Sequence, residues 1–250
     1  MNIYESEKIL GEYLLFHYGS EEEILPYPDG PRSALDFPVR CAGWMLKNKI
    51  LPDGRALDLG CAVGRSTFEL TRGFGEVVGI DFSASFIRAA QTLKEKGALS
   101  YRRVDEGSLT TELQALLPSG VVPGRATFQT GDACDLPEGL GLFDAVLMAN
   151  LLCRLPEPRV CLERAKSLVK TGGVLVLTTP CTWMEEFTPK NKWLGGYLKD
   201  GKPVATLQGV QEVLSGAFDL EQVGEEPFLI REHARKFQWT VAQTSVWKRM

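Results

Sequence analysis

The run Ala56-Leu57-Asp58-Leu59-Gly60-Cys61-Ala62-Val63-Gly64 places two glycines directly after an apolar, strand-forming stretch and directly before a helical one. Glycine at such a junction removes side chains where the backbone turns sharply or meets a ligand, and the helix that follows presents N–H groups with no partner of their own. The fold class that needs this junction is the α/β sheet with a ligand crevice at the carboxyl ends of its strands. From Arg55 onward, short apolar runs ending in Gly or Asp alternate with helical periods, the pattern of βαβ units. The spacing predicts strands near 55–59, 76–80, 126–130, 143–149 and 173–179, with helices near 65–73, 84–96 and 157–169.

Two helical pieces are predicted ahead of this core, Tyr4 to Tyr18 and Ser33 to Lys49, with Ser20 and Glu23 spaced as a capping box between them. Segment 99–124 is more than a minimal α/β unit needs, and its Leu109 to Leu117 stretch carries helical spacing. A further helix is expected around Leu207 to Leu214, and strands near 218–223 and 237–247 predict a closing antiparallel hairpin. The chain is expected to form one domain: a helical lid over 1–50, a ligand-binding core over 51–180 and a substrate-side region over 181–250.

A net charge of -4 with 24% charged residues offers no field to attract a polyanion, so neither nucleic acid nor an anionic membrane is an expected partner. The opening Met1-Asn2-Ile3-Tyr4-Glu5 lacks the basic flank and apolar run of a signal peptide, and a cytoplasmic location is expected. Six cysteines without a C-x-x-C pair and only two histidines support neither a metal site nor a disulfide framework. Buried reduced thiols are expected instead.

The glycine spacing departs from the G-x-G-x-x-G of dinucleotide enzymes, and Asp58 stands just upstream. The next strand, Val77-Val78-Gly79-Ile80-Asp81, ends in an acid twenty-one residues after Gly60, where a carboxylate can accept both hydroxyls of a ribose. Phe82 follows it. In Gly131-Asp132-Ala133, Asp132 can accept from an adenine amino group while Ala133 donates from its backbone, and the strand Phe143 to Ala149 opens at Asn150 toward the same crevice.

With Lys170-Thr171-Gly172-Gly173-Val174 ahead of the fifth strand, these motifs resemble the class I methyltransferases that use S-adenosylmethionine (SAM). The resemblance implies a Rossmann-like, mostly parallel seven-stranded sheet with an antiparallel final strand and an N-terminal helical lid. It also implies SAM lying across the carboxyl ends of the first two strands. The cofactor-binding set it points to is Arg40, Asp58, Gly60, Cys61, Gly64, Asp81, Phe82, Asp132, Ala133 and Asn150.

Four further stretches resemble the 4-mercaptohistidine N1-methyltransferases of ovothiol biosynthesis. They are Tyr13 to Gly19, Leu35 to Cys41, Glu186 to Lys190 with Trp193 to Gly196, and Arg235 to Thr240. This resemblance implies methylation of an imidazole nitrogen of 5-thiohistidine, after a separate sulfoxide synthase and lyase, because the chain has no region like the synthase part of the larger bifunctional enzyme. A zwitterionic amino acid with an aromatic ring needs a cation, an acid and flat apolar walls. Candidates are Arg40, Arg231 or Arg235 for the cation, and Asp36, Glu185 or Glu186 for the acid. Tyr18, Phe37, Trp183, Trp193 or Trp239 can supply the walls. Arg40 has the SAM carboxylate or a structural ion pair as alternatives. His17, Tyr18 and Glu186 are the candidates for a base, ahead of His233. A different small amine, thiol or carboxylate acceptor is the alternative reading, and a catalytically silent SAM-binding module is a more distant one.

Overall fold

The computed structural model describes residues 3–48 and 50–250; Met1, Asn2 and the expected helix end at Lys49 lie outside the described residues. The chain opens with α1 (Glu7–Tyr18), α2 (Glu21–Ile24) and α3 (Phe37–Asn48). The core follows as β1 (Leu51–Leu59), α4 (Arg65–Leu70), β2 (Phe74–Asp81), α5 (Ala84–Lys96), β3 (Ala98–Glu106), β4 (Leu109–Leu116), β5 (Ala126–Thr130), β6 (Phe143–Ala149), α6 (Pro158–Leu168) and β7 (Val169–Thr179). It ends with β8 (Tyr197–Lys199), β9 (Lys202–Val204), α7 (Thr206–Leu214), β10 (Phe218–His233) and β11 (Lys236–Arg249).

Seven strands form one sheet in the order β10-β11-β7-β6-β1-β2-β5. The five strands from β7 to β5 run parallel, while β11 lies antiparallel to both β7 and β10. The fold is therefore the Rossmann-like sheet expected from the sequence, mostly parallel with an antiparallel final strand. Continuous burial along Phe143 to Met148 and Val174 to Thr179 explains why these strands read as unbroken apolar runs: helices cover both faces. The order reverses between β1–β2–β5 on one side and β6–β7 on the other, and a crevice opens at such a switch point beyond the strands' carboxyl ends.

Local chemistry sets the helix ends. Ser20 accepts from Glu23 N while Glu23 returns a bond to Ser20 N at 2.8 Å, the capping box read from the sequence. Ser83 caps α5 and Gly97 ends it with φ +74.

Three expectations are corrected. The Leu109 to Leu117 stretch is strand β4, paired antiparallel with β3, because Leu113 and Ala115 pack inward with Tyr101 and Leu99 in the cluster that includes Leu14 and Leu15 of α1. The first closing strand runs far beyond 218–223, to His233, while the second, Lys236–Arg249, matches the expected 237–247 closely, and the two form one long antiparallel hairpin. Of the cysteines, Cys181 is exposed and Cys134 only partly buried, so burial holds for the other four. Among the described residues, no helix is long and apolar enough to cross a membrane.

Candidate cofactor and acceptor site

At the carboxyl ends of the strands lies a cavity of about 730 Å³, within the range of small-molecule sites. Its floor is the turn after β1. Gly60 adopts φ +80, Ala62 φ 47 and Gly64 φ +86, so three residues within five take a left-handed backbone that only glycine adopts without strain. The turn is pinned from β2, whose Ile80 carbonyl accepts from Gly60 N at 2.8 Å and Cys61 N at 3.0 Å.

Asp81, at the end of β2, accepts from Ala62 N and from Ser83 N, each at 2.8 Å and each through a different oxygen. Each oxygen keeps a lone pair for a ligand. Burial raises the Asp81 carboxyl above its usual range, opposed by those backbone bonds. Beside it Phe82 stands 63% exposed on the cavity rim, an unusual position for an aromatic ring unless a flat ligand covers it. Asp132 accepts from Cys134 N at 2.8 Å with one oxygen, leaving the other for the cavity it lines together with Ala133. Asn150 has φ 53, and its Oδ1 accepts from Thr178 Oγ1 at 3.0 Å, so the amide N–H groups are what it can offer a ligand. A glycine turn, the Asp81 carboxylate, an exposed ring and the Asp132 carboxylate arranged around one cavity fit SAM.

The lid comes from the N-terminal elements. Tyr4, Tyr13, Phe16 and His17 form one wall, and Phe37 with Pro38 continue it. Burial, with the Arg65 charge nearby, lowers the His17 imidazole to about 3, so the ring is neutral, and among the described residues its buried Nδ1 has no hydrogen-bond partner. A buried lone pair without a donor is tolerated better than a buried N–H without an acceptor, which places the proton on Nε2. Glu186, exposed on the connection after β7, reaches the same cavity.

Of the residues singled out in the sequence, the structure brings His17, Phe37, Gly60, Cys61, Asp81, Phe82, Asp132, Ala133, Asn150 and Glu186 to the cavity wall. It places the others elsewhere, Asp36, Glu185, His233 and Arg235 among them. Asp58 is buried beneath the turn, where it accepts from Thr67 Oγ1 at 2.7 Å and burial pushes its carboxyl up to about 7. Gly64 packs on Phe128 and Ala90. Tyr18 donates to the Val63 carbonyl at 2.8 Å, and burial raises its phenol well above the ordinary value. Arg40 binds Glu226 at 2.6 Å and the Pro227 carbonyl, on the wall of a separate concavity.

Arg231 donates to the Glu23 carbonyl at 2.6 Å. Trp183 and Trp193 stack at 6.4 Å, with their indole N–H groups on Thr206 Oγ1 and the Thr188 carbonyl, and so brace the connection after β7. Trp239 is 59% exposed because strand alternation turns Gln238 and Thr240, not Trp239, to the cavity.

Sequence reasoning missed Tyr4, Tyr13, Arg154, Thr182, Phe187 and Gln238 on the wall. Tyr13, Phe187 and Gln238 carried a signal, since they lie within the stretches that resemble mercaptohistidine methyltransferases, whereas Tyr4, Arg154 and Thr182 carried none.

Residues 57–175 match the sequence profile of the family described as methyltransferase domain. A ubiquinone biosynthesis O-methyltransferase of Xanthomonas campestris pv. campestris is 28% identical over 153 residues, 60% of this chain and 54% of that protein. The match thus spans about half the length of that relative. The 2-methyl-6-phytyl-1,4-hydroquinone methyltransferase of Synechocystis is 24% identical over 241 residues, 94% of this chain and 66% of that one. Among solved structures, the N-methyltransferase NodS from Bradyrhizobium japonicum with S-adenosyl-L-homocysteine aligns at TM-score 0.53 and 15% identity, over 96% and 98% of the two chains. The magnesium protoporphyrin IX methyltransferase of Synechocystis with bound SAM aligns at TM-score 0.53 and 18% identity over the full length of both.

Proposed function

We propose that this chain, which carries a methyltransferase domain on a Rossmann-like sheet, is a SAM-dependent methyltransferase of small molecules whose acceptor is an imidazole nitrogen of 5-thiohistidine. The observation that carries the coarser reading is the cavity in which Gly60, Asp81, Phe82, Asp132 and Asn150 converge over the switch point. The finer reading is supported by the four stretches that resemble mercaptohistidine methyltransferases and by the wall they build. Phe16, His17, Phe37 and Glu186 belong to those stretches and give the cavity flat apolar surface beside an acid.

When bound, SAM supplies an electrophilic methyl group on a sulfonium. The protein's task is to hold the acceptor ring nitrogen in line with that methyl and to exclude water. Gly60 leaves room for the cofactor at the turn, and Asp81 fixes its ribose end. The N-terminal wall of Tyr4, Tyr13 and Phe16 closes the cavity over both. A group with a pKa of about 3 is a poor proton acceptor near neutrality, so His17 orients rather than deprotonates. Tyr18 is committed to Val63. Glu186 is the remaining candidate to take the imidazole proton.

The test is incubation with SAM and a panel of 5-thiohistidine, histidine, histamine, carnosine and a catechol, read by mass for one added methyl and by NMR for its position. A site built around a thiolate should favour 5-thiohistidine over histidine by roughly 10²-fold or more in kcat/KM. Comparable turnover of the two would reject the acceptor and leave the methyltransferase reading in place. Methylation of the catechol alone would favour the second reading, a phenolic acceptor, which the similarity to quinol methyltransferases supports.

A further inference from the structure

The sheet order divides the cavity in two. The ends of β1, β2 and β5, with Asn150 at the end of β6, carry the residues read as the cofactor half, whereas segment 151–156, the connection after β7 and the β10–β11 hairpin line much of the rest of the wall. In that second half stands Arg154, the one Lys or Arg on the cavity wall among the described residues.

Its surroundings hold it in place without neutralising it. Arg154 Nη1 donates to the Thr182 carbonyl at 3.3 Å, its guanidinium lies 4.6 Å over the Phe187 ring, and it hydrogen-bonds the Tyr4 hydroxyl. Carbonyls, a ring face and a phenol orient a guanidinium but leave its charge uncompensated. Arg40, Arg65 and Arg103 are paired with Glu226, Glu69 and Asp105, while Arg125, Arg231 and Arg249 donate to backbone carbonyls away from the cavity wall. For Arg154 no ion pair to a carboxylate occurs among the described residues. A partly buried, pre-oriented and unpaired guanidinium on the wall of a ligand cavity is a receptor for a carboxylate, which its planar fork can grip through two N–H groups.

We propose that Arg154 binds the carboxylate of the methyl acceptor, so that the site selects a free amino acid or another small carboxylic acid over the corresponding decarboxylated amine. The proposal rests on the reading of this cavity as a small-molecule methyltransferase site. It assigns the substrate's cation to a residue other than Arg40 and Arg231, neither of which lines the cavity. Glu186, on the same half of the cavity, can meet the ammonium group of an amino acid.

The experiment is calorimetric titration of the full chain, saturated with S-adenosylhomocysteine, with two matched pairs: 5-thiohistidine against its decarboxylated amine, and imidazole-4-acetate against 4-methylimidazole. The wild type should bind the acid of each pair about ten- to hundredfold more tightly. Arg154→Gln should erase that preference, Arg154→Lys should keep part of it, and both should bind S-adenosylhomocysteine within a fewfold of wild type. Equal losses for acid and amine would mean that Arg154 only braces Thr182 and Phe187, and the proposal falls. A tenfold loss of S-adenosylhomocysteine affinity would place Arg154 on the cofactor and also overturn it, as would a wild type that shows no preference for acids. Because the readout is binding, absence of methyl transfer to 5-thiohistidine alongside an Arg154-dependent acid preference would reject the 5-thiohistidine assignment and leave this one standing.

Discussion

The carboxylate of Asp81 accepts the backbone N–H of Ala62 at 2.8 Å, tying the end of the second strand to the turn that leaves the first. Ala62 sits there at φ 47, a conformation that costs an alanine roughly 1–2 kcal/mol. The same carboxylate that would hold a ribose thus also holds the strained backbone against which the cofactor would lie.

Replacing Asp81 with Ala should therefore weaken S-adenosylhomocysteine binding by about 1–3 kcal/mol, the cost of leaving charged hydrogen bonds unmade, and should also lower Tm. Calorimetric titration and thermal melting of one preparation read both effects. A folded variant with unchanged affinity would remove Asp81 from the cofactor site.

Gly64→Ala should destabilise the fold by about 2–4 kcal/mol. The residue has φ +86, and an added Cβ would stand 2.8 Å from the Phe128 ring and 2.9 Å from Ala90 Cβ, so backbone strain and overpacking add. Gly43→Ala is the control: it lies inside α3 with nothing within 4 Å of a built Cβ, and should stabilise by about 0.5–1 kcal/mol. Denaturant melts that gave the two substitutions the same sign would contradict this account.

Two buried groups pull stability in opposite directions with pH. Burial raises Asp58 to about 7, so the folded protein holds a proton that the unfolded chain releases near pH 4, and stability falls as pH rises from about 4 to about 7. Burial lowers His17 to about 3, so the unfolded chain takes up a proton that the folded one refuses, and stability falls as pH drops from about 6.5 toward 3. Each effect is worth up to about 4 kcal/mol across its window. They largely cancel in the wild type. Asp58→Asn should unmask a stability that rises with pH between 4 and 6.5, and His17→Phe one that falls with pH. Urea titrations at several pH values read the slopes, and parallel slopes for the two variants would refute the assignment.

Arg40→Ala should lower stability by about 3 kcal/mol, because Glu226, only 9% exposed, would lose its cation while still bound to Trp44 Nε1 at 2.6 Å. Cofactor affinity should stay within a fewfold of wild type. A large loss of S-adenosylhomocysteine binding with unchanged Tm would instead return Arg40 to the cofactor role expected from the sequence.

What the sequence determined is the part of the structure whose causes are local. Apolar runs such as Phe143 to Met148 are strands wherever they are buried on both faces, the glycines at 60 and 64 permit only a tight turn, and an acid at the end of β2 stands beside that turn because parallel neighbours share their register. The placement of Gly60, Asp81, Asp132 and Asn150 around one crevice was legible for this reason.

What only tertiary structure decided depends on partners far along the chain. The run Gly224-Glu225-Glu226-Pro227 reads as a strand breaker, yet β10 continues through it. Glu226 finds Arg40 and Trp44 on α3, and Pro227 sits on the sheet's edge strand, where its missing N–H costs no ladder bond. Leu109 to Leu117 has a helix's spacing but lies in a strand because Ala98 to Glu106 pairs with it and α1 covers the inward side chains. Arg154 looks in sequence like any arginine after a strand. Its place on the cavity wall arises only when Tyr4, 150 residues before it, and Thr182, 28 residues after it, meet around it, and no pattern of neighbouring residues encodes such contacts.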